Sequence, residues 1–334
     1  MLFTKLEKRC GTLELTIHKG GTLISALKDY IGYLVALVFF IAITAINPAF
    51  TSPINLSNIL TDMSALLLFS IGVTFILLIG SIDLSIGAMA SCACVIFAVT
   101  VPTIGWIGLL LALGFGLLAG LLGGILYVKL KIPSFIATFG TMSLWQSLAL
   151  IIAKGAPQQI RKEYWEYTQW FKIKLGIVPL PFLIAIAIFI ILIIVEKKTK
   201  FGRTLFAVGG NESAARMAGL NVETTKIVTF VLMGLFSAMA GIFFAANLKS
   251  GIPTVGDPST LTAIAAVALG GTSMSGGKGG LIRTLAGVIL VILIQNGMNV
   301  IGVDVFWQKI TFGIIILVAL VITTDRKRRN LVVK

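Results

Sequence analysis

Apolar runs of about 17 to 25 residues recur along the chain, separated by short polar or charged clusters. Each run is long enough to cross a hydrocarbon core roughly 30 Å thick as a helix. Asp83 interrupts the third run, and glycines near 270–280 interrupt the eighth. The pattern predicts an all-α polytopic membrane protein with ten spans, near residues 31–47, 62–80, 84–101, 105–128, 133–153, 180–195, 227–247, 260–275, 284–300 and 306–324.

Composition and charge support a membrane protein with both termini in the cytoplasm. Hydrophobic residues make up 57% of the chain and charged residues only 12%. Twenty of the 27 Lys and Arg residues fall in segments that lie inside if the N-terminus is inside. The net charge of +14 therefore reflects topology and attraction to membrane lipid, and it requires no nucleic acid.

The chain is interpreted as one membrane domain, because no hydrophilic segment is large enough to fold alone. Its predicted parts are a cytoplasmic N-terminal segment (1–30), a transmembrane permease domain (31–325) with a coupling loop (196–226) and an external loop (154–179), and a cytoplasmic basic tail (326–334).

The segment 201–219, FGRTLFAVGGNESAARMAG, is unusually polar and rich in Gly and Ala for a loop between spans. A Gly-Gly turn, an Asn-Glu-Ser start and a Gly end predict a short helix with a capped entry and a Gly stop. On the predicted topology this helix is exposed in the cytoplasm. We expect it to dock a partner.

Asp83 lies in GSIDLSIG (80–87), where the second span gives way to the third. An acid near the hydrocarbon is costly unless it caps a helix, pairs or faces water. A helix N-cap that starts the third span is the favoured interpretation, and a contact with substrate is the alternative. A proton relay would normally need further buried acids.

The glycine-rich run ALGGTSMSGGKGG (268–280) differs from a phosphate-binding loop. Five residues rather than four separate Gly271 from Gly277, and Gly279 follows Lys278 where Ser or Thr is required. We expect a broken helix that lines a cavity. The run 267–277 resembles 77–87 in pattern, which suggests two inverted-repeat halves.

Two further patterns have structural interpretations. Small residues every fourth position in the fourth span predict close packing against another helix, at Gly108, Ala112, Gly116, Gly120 and Gly124. The three cysteines and the single histidine form no disulfide framework and no metal site: Cys10, Cys92, Cys94 and His18.

Four motifs in order resemble the ribose-type sugar permeases of ABC importers. They are GSIDLSIG (80–87), GRTLFAVGGNESAARMAGLNV (202–222), AIAAVALGGTSMSGGKGG (263–280) and QNGMNVIGVDVFWQKITFGIIIL (295–317). The resemblance covers roughly residues 30–329. It implies a multi-pass permease of the cell (inner or plasma) membrane that works as a homodimer or heterodimer with a second permease copy.

The resemblance also implies a cytoplasmic ATPase and an extracytoplasmic sugar-binding protein as partners. The chain itself would be no enzyme and would bind no cofactor, because ATP–Mg is used by the ATPase. The 209–219 helix would sit in a cleft of the ATPase, with these coupling residues: Gly209, Gly210, Asn211, Glu212, Ala214, Ala215, Arg216 and Gly219.

The implied cargo is a neutral monosaccharide, ribose or a similar sugar. Where the family usually shows Glu-Leu-Asp, this chain has Thr260, Leu261 and Thr262 at the outer mouth of the eighth span. This departure leaves open which sugar is carried and how the binding protein docks. Relatives with the same architecture carry nucleosides, a furanosyl signalling molecule or branched amino acids.

A pathway for a neutral polyol needs hydroxyl and amide groups rather than fixed charges. The candidates are Asp83, Ser85, Thr138, Thr141, Gln146, Gln295, Asn296 and Asn299. Hydrogen bonds between helices are the alternative role for each of them. The rival from another class is an ion-coupled secondary transporter, for which Asp83 is the one candidate site.

Overall fold

The computed structural model describes residues 32–304 and positions 306–308, 310, 311, 313, 314 and 317. The predicted segments 1–30 and 326–334 lie outside the described residues, as does much of the tenth span. The described part is helical almost throughout, which confirms the all-α polytopic prediction.

Eleven α-helices lie within 32–304. Seven of them are long and apolar enough to cross a membrane, namely α2, α3, α4, α5, α6, α9 and α11, whereas α1 and α10 are shorter apolar helices. The helices are α1 (Gly32–Ile46), α2 (Pro53–Leu78), α3 (Ile86–Ile104), α4 (Ile107–Val128), α5 (Ser134–Ile152), α6 (Leu180–Lys198), α7 (Lys200–Gly210), α8 (Glu212–Met217), α9 (Val222–Leu248), α10 (Asp257–Leu269) and α11 (Leu281–Ile301).

Three predicted boundaries differ clearly from the structure: the start of α2, the end of α10, and the start of α9, which lies at Val222 rather than near 227. α2 begins at Pro53 rather than near 62, because Ser52 caps it by accepting a hydrogen bond from the Asn55 N–H at 3.3 Å. Proline is well suited to the first position of a helix, where its missing N–H costs nothing. α10 ends at Leu269 rather than near 275, because the glycine-rich run that follows is irregular.

α9 packs against α2, α3 and α4. The small-residue ridge on α4 makes this contact, as predicted. A Cβ atom on Gly116 would collide with the backbone of Gly234, and one on Gly120 would collide with the backbone of Phe230. The two backbones therefore approach closely only because these positions carry no side chain.

The predicted external loop folds back onto the segment that follows α9. Strand β1 (Gln158–Gln159) pairs antiparallel with β4 (Ser250–Gly251), and β2 (Lys174–Leu175) pairs with β3 (Val178–Pro179). Between them lie two short 3-10 helices, Lys162–Tyr167 and Gln169–Lys172. The loop is therefore an ordered cap on one end of the bundle.

Candidate functional site

The docking helix predicted from the sequence is α8. Its N-cap residue Asn211 accepts a hydrogen bond from the Ala214 N–H at 3.0 Å, and Gly219 beyond its end has φ = +76°. The capped entry and the glycine stop are thus confirmed. The predicted turn at Gly209 and Gly210 is wrong. These glycines are the last two residues of α7, and the chain turns at Asn211.

Gly209 brings α7 against two irregular segments of the chain. They are the segment after α2 (79–85) and the segment after α10 (270–280). A Cβ atom there would collide with the carbonyl oxygen of Leu78, at the end of α2, and with the N–H of Gly277. The same N–H of Gly277 donates to the Leu78 carbonyl at 2.9 Å. The elbow between α7 and α8 is therefore in direct contact with the segment after α2 and with the segment after α10.

A largely buried lysine holds α8 against α9. The Nζ atom of Lys226 lies 2.7 Å from Glu212 Oε2 and 4.7 Å from the centre of the Tyr127 ring. Its side chain is 9% exposed, so the charge is shielded from water and stabilised by the carboxylate and the aromatic face. Arg216, one turn along α8, lies 3.4 Å from the other oxygen of Glu212.

Glu223 forms a second, more exposed set of ion pairs at the start of α9. Its carboxylate lies 2.6 Å from Lys129 Nζ and 3.9 Å from Arg216. The side chains of Lys129 and Glu223 are 59% and 44% exposed. Pairs this exposed contribute little to stability, so the Lys226 pair is the stronger attachment of α8.

The exposed surface of α8 differs from the predicted set. Ala215 is buried, so it packs within the protein, and the carboxylate of Glu212 is engaged by Lys226. Met217 at the end of the helix is 84% exposed. Methionine is adaptable and common at docking surfaces, yet the prediction from sequence omitted it. The exposed face consists of Ser213, Ala214, Arg216 and Met217.

A cavity of about 1120 Å³ lies beside this elbow. It is bounded by Gly80 and Ile82 from the segment after α2, by the start of α5, by Met274 and Ser275, and by α8. The glycine-rich run therefore lines a cavity, as predicted from its composition.

Asp83 does not cap α3 in the predicted way. One carboxylate oxygen, Oδ1, accepts from both the N–H and the hydroxyl of Ser85, each at 2.7 Å, and the helix begins only at Ile86. An N-cap would accept from a residue inside the first turn. Asp83 instead forms a tight turn within the segment that precedes the helix, and it is buried there.

Two hydroxyl groups of α5 hold the same segment. The N–H of Ile82 donates to Ser134 Oγ at 3.3 Å, and the N–H of Leu84 donates to Thr138 Oγ1 at 3.2 Å. Thr141 donates to the carbonyl of Thr138 and is buried. The structure thus brings together four of the predicted pathway residues: Asp83, Ser85, Thr138 and Thr141.

The remaining predicted pathway residues lie elsewhere. Gln146 lies near the carboxylate of Asp257 at the start of α10. Gln295, Asn296 and Asn299 lie on α11, which packs against α10 and α2, whereas α5 packs against α3 and α4. Within the described residues, the two sets therefore belong to different parts of the bundle.

Asn296 is paired with an asparagine that the sequence interpretation missed. Asn55 Nδ2 donates to Asn296 Oδ1 at 2.8 Å, and Asn296 Nδ2 donates to Asn55 Oδ1 at 3.0 Å. Asn299 accepts from Gln308 Nε2 at 2.8 Å. Asn55 was missed because the second span was placed from residue 62 onward, which left the start of α2 outside the helix.

The asparagine pair lies at a second cavity, of about 680 Å³. Its walls come from α2, from the ends of α9 and α11 and from the loop around 171–179. The asparagines that line it are Asn55, Asn58, Asn247, Asn296 and Asn299. The spacing of Asn55, Asn58 and Asp62 places them on one helical face, a signal available once α2 is extended to residue 53.

The two threonines that replace family acids have different surroundings. Thr260 is buried and its hydroxyl accepts from the N–H of Gly87 at 3.1 Å. Thr262 is half-buried and its hydroxyl donates to the carbonyl of Pro258 at 2.9 Å, within its own helix. Thr260 therefore attaches α10 to the first turn of α3.

Glu196 is a buried carboxylate that the prediction did not include. Its Oε2 atom accepts from the N–H of Leu281 at 2.9 Å, at the first residue of α11. A carboxylate at a helix N-terminus satisfies an unpaired N–H and interacts favourably with the helix dipole. Glu196 thus joins the end of α6 to the start of α11.

Comparisons with known proteins agree with this architecture. A family model described as "Branched-chain amino acid transport system / permease component" matches residues 55–320. The ribose import permease of Bacillus subtilis (strain 168) is 35% identical over 328 residues, covering 95% of this chain and 97% of that protein. No solved structure was found to match the chain.

Two permeases of Escherichia coli (strain K12) are similarly related. The ribose import permease is 35% identical over 302 residues, covering 89% of this chain and 93% of its own. The L-arabinose transport system permease is 36% identical over 299 residues, covering 88% and 90%. The chain is a multi-pass membrane protein, and it belongs to the ABC importer permease family that includes the ribose permeases.

Proposed function

We propose that this chain is the translocating permease subunit of an ATP-driven importer for a neutral monosaccharide. The relatives named above are ribose and L-arabinose permeases, whereas the family description names branched-chain amino acids. The cavity of about 680 Å³ is lined by five asparagine carboxamides and the Thr61 hydroxyl, groups that both donate to and accept from sugar hydroxyls. This chemistry supports a sugar over an apolar amino acid. Ribose or a close relative is the proposed cargo, and a nucleoside or furanosyl compound is the alternative.

The observation that carries the proposal is the elbow between α7 and α8. An exposed short helix, held by Lys226, is continuous with Gly209, which contacts the segments after α2 and α10. Movement of α8 by a docked ATPase would therefore act directly on the irregular segments beside the cavity of about 1120 Å³. The chain would need no catalytic group of its own, because ATP hydrolysis occurs in the partner.

The remaining partners follow from family membership. A second permease copy, identical or related, would complete the pathway, and an extracytoplasmic sugar-binding protein would deliver the cargo. The ordered loop 154–179, tied to β4, offers a shaped surface for that delivery on the predicted outer side.

Co-purification followed by reconstitution tests this function. The permease, its cognate ATPase and its binding protein are expected to purify as one complex and to take up ribose or a related pentose in proteoliposomes only with ATP. A complex that forms but transports no monosaccharide would refute the sugar assignment. Failure of the ATPase to associate would refute the importer assignment itself.

A further inference from the structure

Five asparagines from three helices line the cavity of about 680 Å³. Asn55 and Asn58 come from α2, Asn247 from α9, and Asn296 and Asn299 from α11. The side chains of Asn58, Asn247 and Asn299 are exposed, so their amides face the cavity. Carboxamides carry both donors and acceptors without a net charge. Convergence of this one residue type from distant parts of the chain indicates a ligand of matching chemistry.

The other residues that line the cavity indicate which chemical class of ligand fits it. Asp62 and Thr61 continue the polar face of α2 into the cavity, and Lys172 and Lys174 form part of the loop wall. Asp62 is exposed and can accept from two adjacent hydroxyls. A branched amino acid would need an apolar wall of matching size, whereas most of the lining side chains here are polar.

The floor of the cavity is held together by the asparagine pair. The reciprocal bonds between Asn55 and Asn296 connect the first turn of α2 to the end of α11, and Asn55 Nδ2 also donates to the carbonyl of Phe50 at 2.8 Å. These bonds fix the positions of α2 and α11 relative to each other. The exposed asparagines Asn58 and Asn299 therefore lie on two helices whose relative positions are fixed by this pair.

We propose that this cavity is an outward-facing binding site for a neutral polyol, in which Asn58, Asn247 and Asn299 bind the sugar hydroxyls after release from the binding protein. The proposal rests on the proposed function and names where in the chain the cargo is recognised. The carboxylate of Asp62 adds a hydrogen-bond acceptor for the sugar. The Asn55–Asn296 pair holds α2 and α11 in position and is not itself a main contact of the sugar.

The test uses the complete importer in proteoliposomes, with ribose as the probe. Leucine substitutions N58L, N247L and N299L each remove one amide. Loss of one net hydrogen bond corresponds to a rise of about three- to tenfold in the ribose concentration needed for half-maximal uptake. T103L is the matched control, because Thr103 is exposed at the end of α3 and does not line the cavity.

The possible results separate the site from the function. Wild-type uptake with normal kinetics in all three variants would overturn the site while the proposed function stands. Wild-type protein that takes up no sugar would refute the function, and the site with it. Inhibition of uptake by valine but not by a second pentose would overturn the polyol class. If N247L is poorly expressed, N247A supplies the test, because it also removes the amide and adds neither bulk nor charge.

Discussion

Lys226 Nζ lies 2.7 Å from Glu212 Oε2, so a buried ammonium on α9 holds the first residue of α8, the proposed docking helix. The aromatic face of Tyr127 covers the same ammonium. Because the two residues belong to different helices, this pair holds α8 on the bundle, together with the buried side chain of Ala215. The position of α8 is in turn what a docked ATPase would sense and move.

Lys226→Met should weaken the link between ATP hydrolysis and transport. Removal of the ammonium leaves Glu212 without its shortest ion pair, and we expect a loss of about 1–3 kcal/mol of stability because Glu212 is only partly buried. Sugar transported per ATP hydrolysed should fall in proteoliposomes. Lys129→Met is the matched control: its pair with Glu223 is exposed, and the ratio should not change. Equal ratios in both variants would contradict the role of Lys226.

Gly209→Ala should impair the protein, whereas Gly210→Ala should be tolerated. A Cβ atom at 209 would collide with the backbone at Leu78 and Gly277, but nothing lies within 4 Å of a Cβ atom at 210. Both changes also raise helix propensity equally, by up to about 1 kcal/mol, so the comparison isolates packing. Thermal stability in detergent and uptake are the measurements. Equal behaviour of the two variants would show that α7 does not pack at this point.

Asp83→Asn should retain uptake and folded yield. The contacts of Asp83 run through one oxygen, Oδ1, that accepts from Ser85, and an asparagine Oδ1 can accept in the same way. Asp83→Leu should lower folded yield, because Ser85 then loses both bonds in a buried site. A sharp loss of uptake in the asparagine variant at normal yield would instead indicate that a charged carboxylate takes part in ion coupling.

Met217→Asp should weaken association with the ATPase. Met217 is 84% exposed on α8, and a charge there would disturb an apolar contact without affecting the fold. Leu175→Asp is the control, because Leu175 is 75% exposed on strand β2 of the predicted external loop. The amount of ATPase retained on the purified permease should fall for Met217→Asp alone. Equal retention would remove Met217 from the docking face.

Local signals made α8 predictable from the sequence. Asparagine at the entry and glycine at the exit act within one turn of the helix, and both were found where expected. The hydrophobic runs likewise located the spans, because membrane insertion depends on length and composition. The start of α2 was missed, although Ser52 followed by Pro53 is a local helix-start signal.

Contacts between distant residues could not be predicted in the same way. Asn55 and Asn296 are 241 positions apart, and neither residue alone indicates its partner. The contact of Gly209 with Leu78 and the cap that Glu196 provides for α11 likewise depend on how helices pack. For this reason the predicted pathway residues lie in two separate places in the structure. One set is near Asp83 and Thr138, and the other is on α11.

The most direct test of the central claim is uptake by vesicles that contain this chain with and without its partners. Under a proton or sodium gradient alone, the permease should not concentrate ribose or a related pentose. Addition of the cognate ATPase, the binding protein and ATP should produce accumulation of the sugar. Accumulation driven by an ion gradient without ATP would contradict the account and would identify a secondary transporter instead.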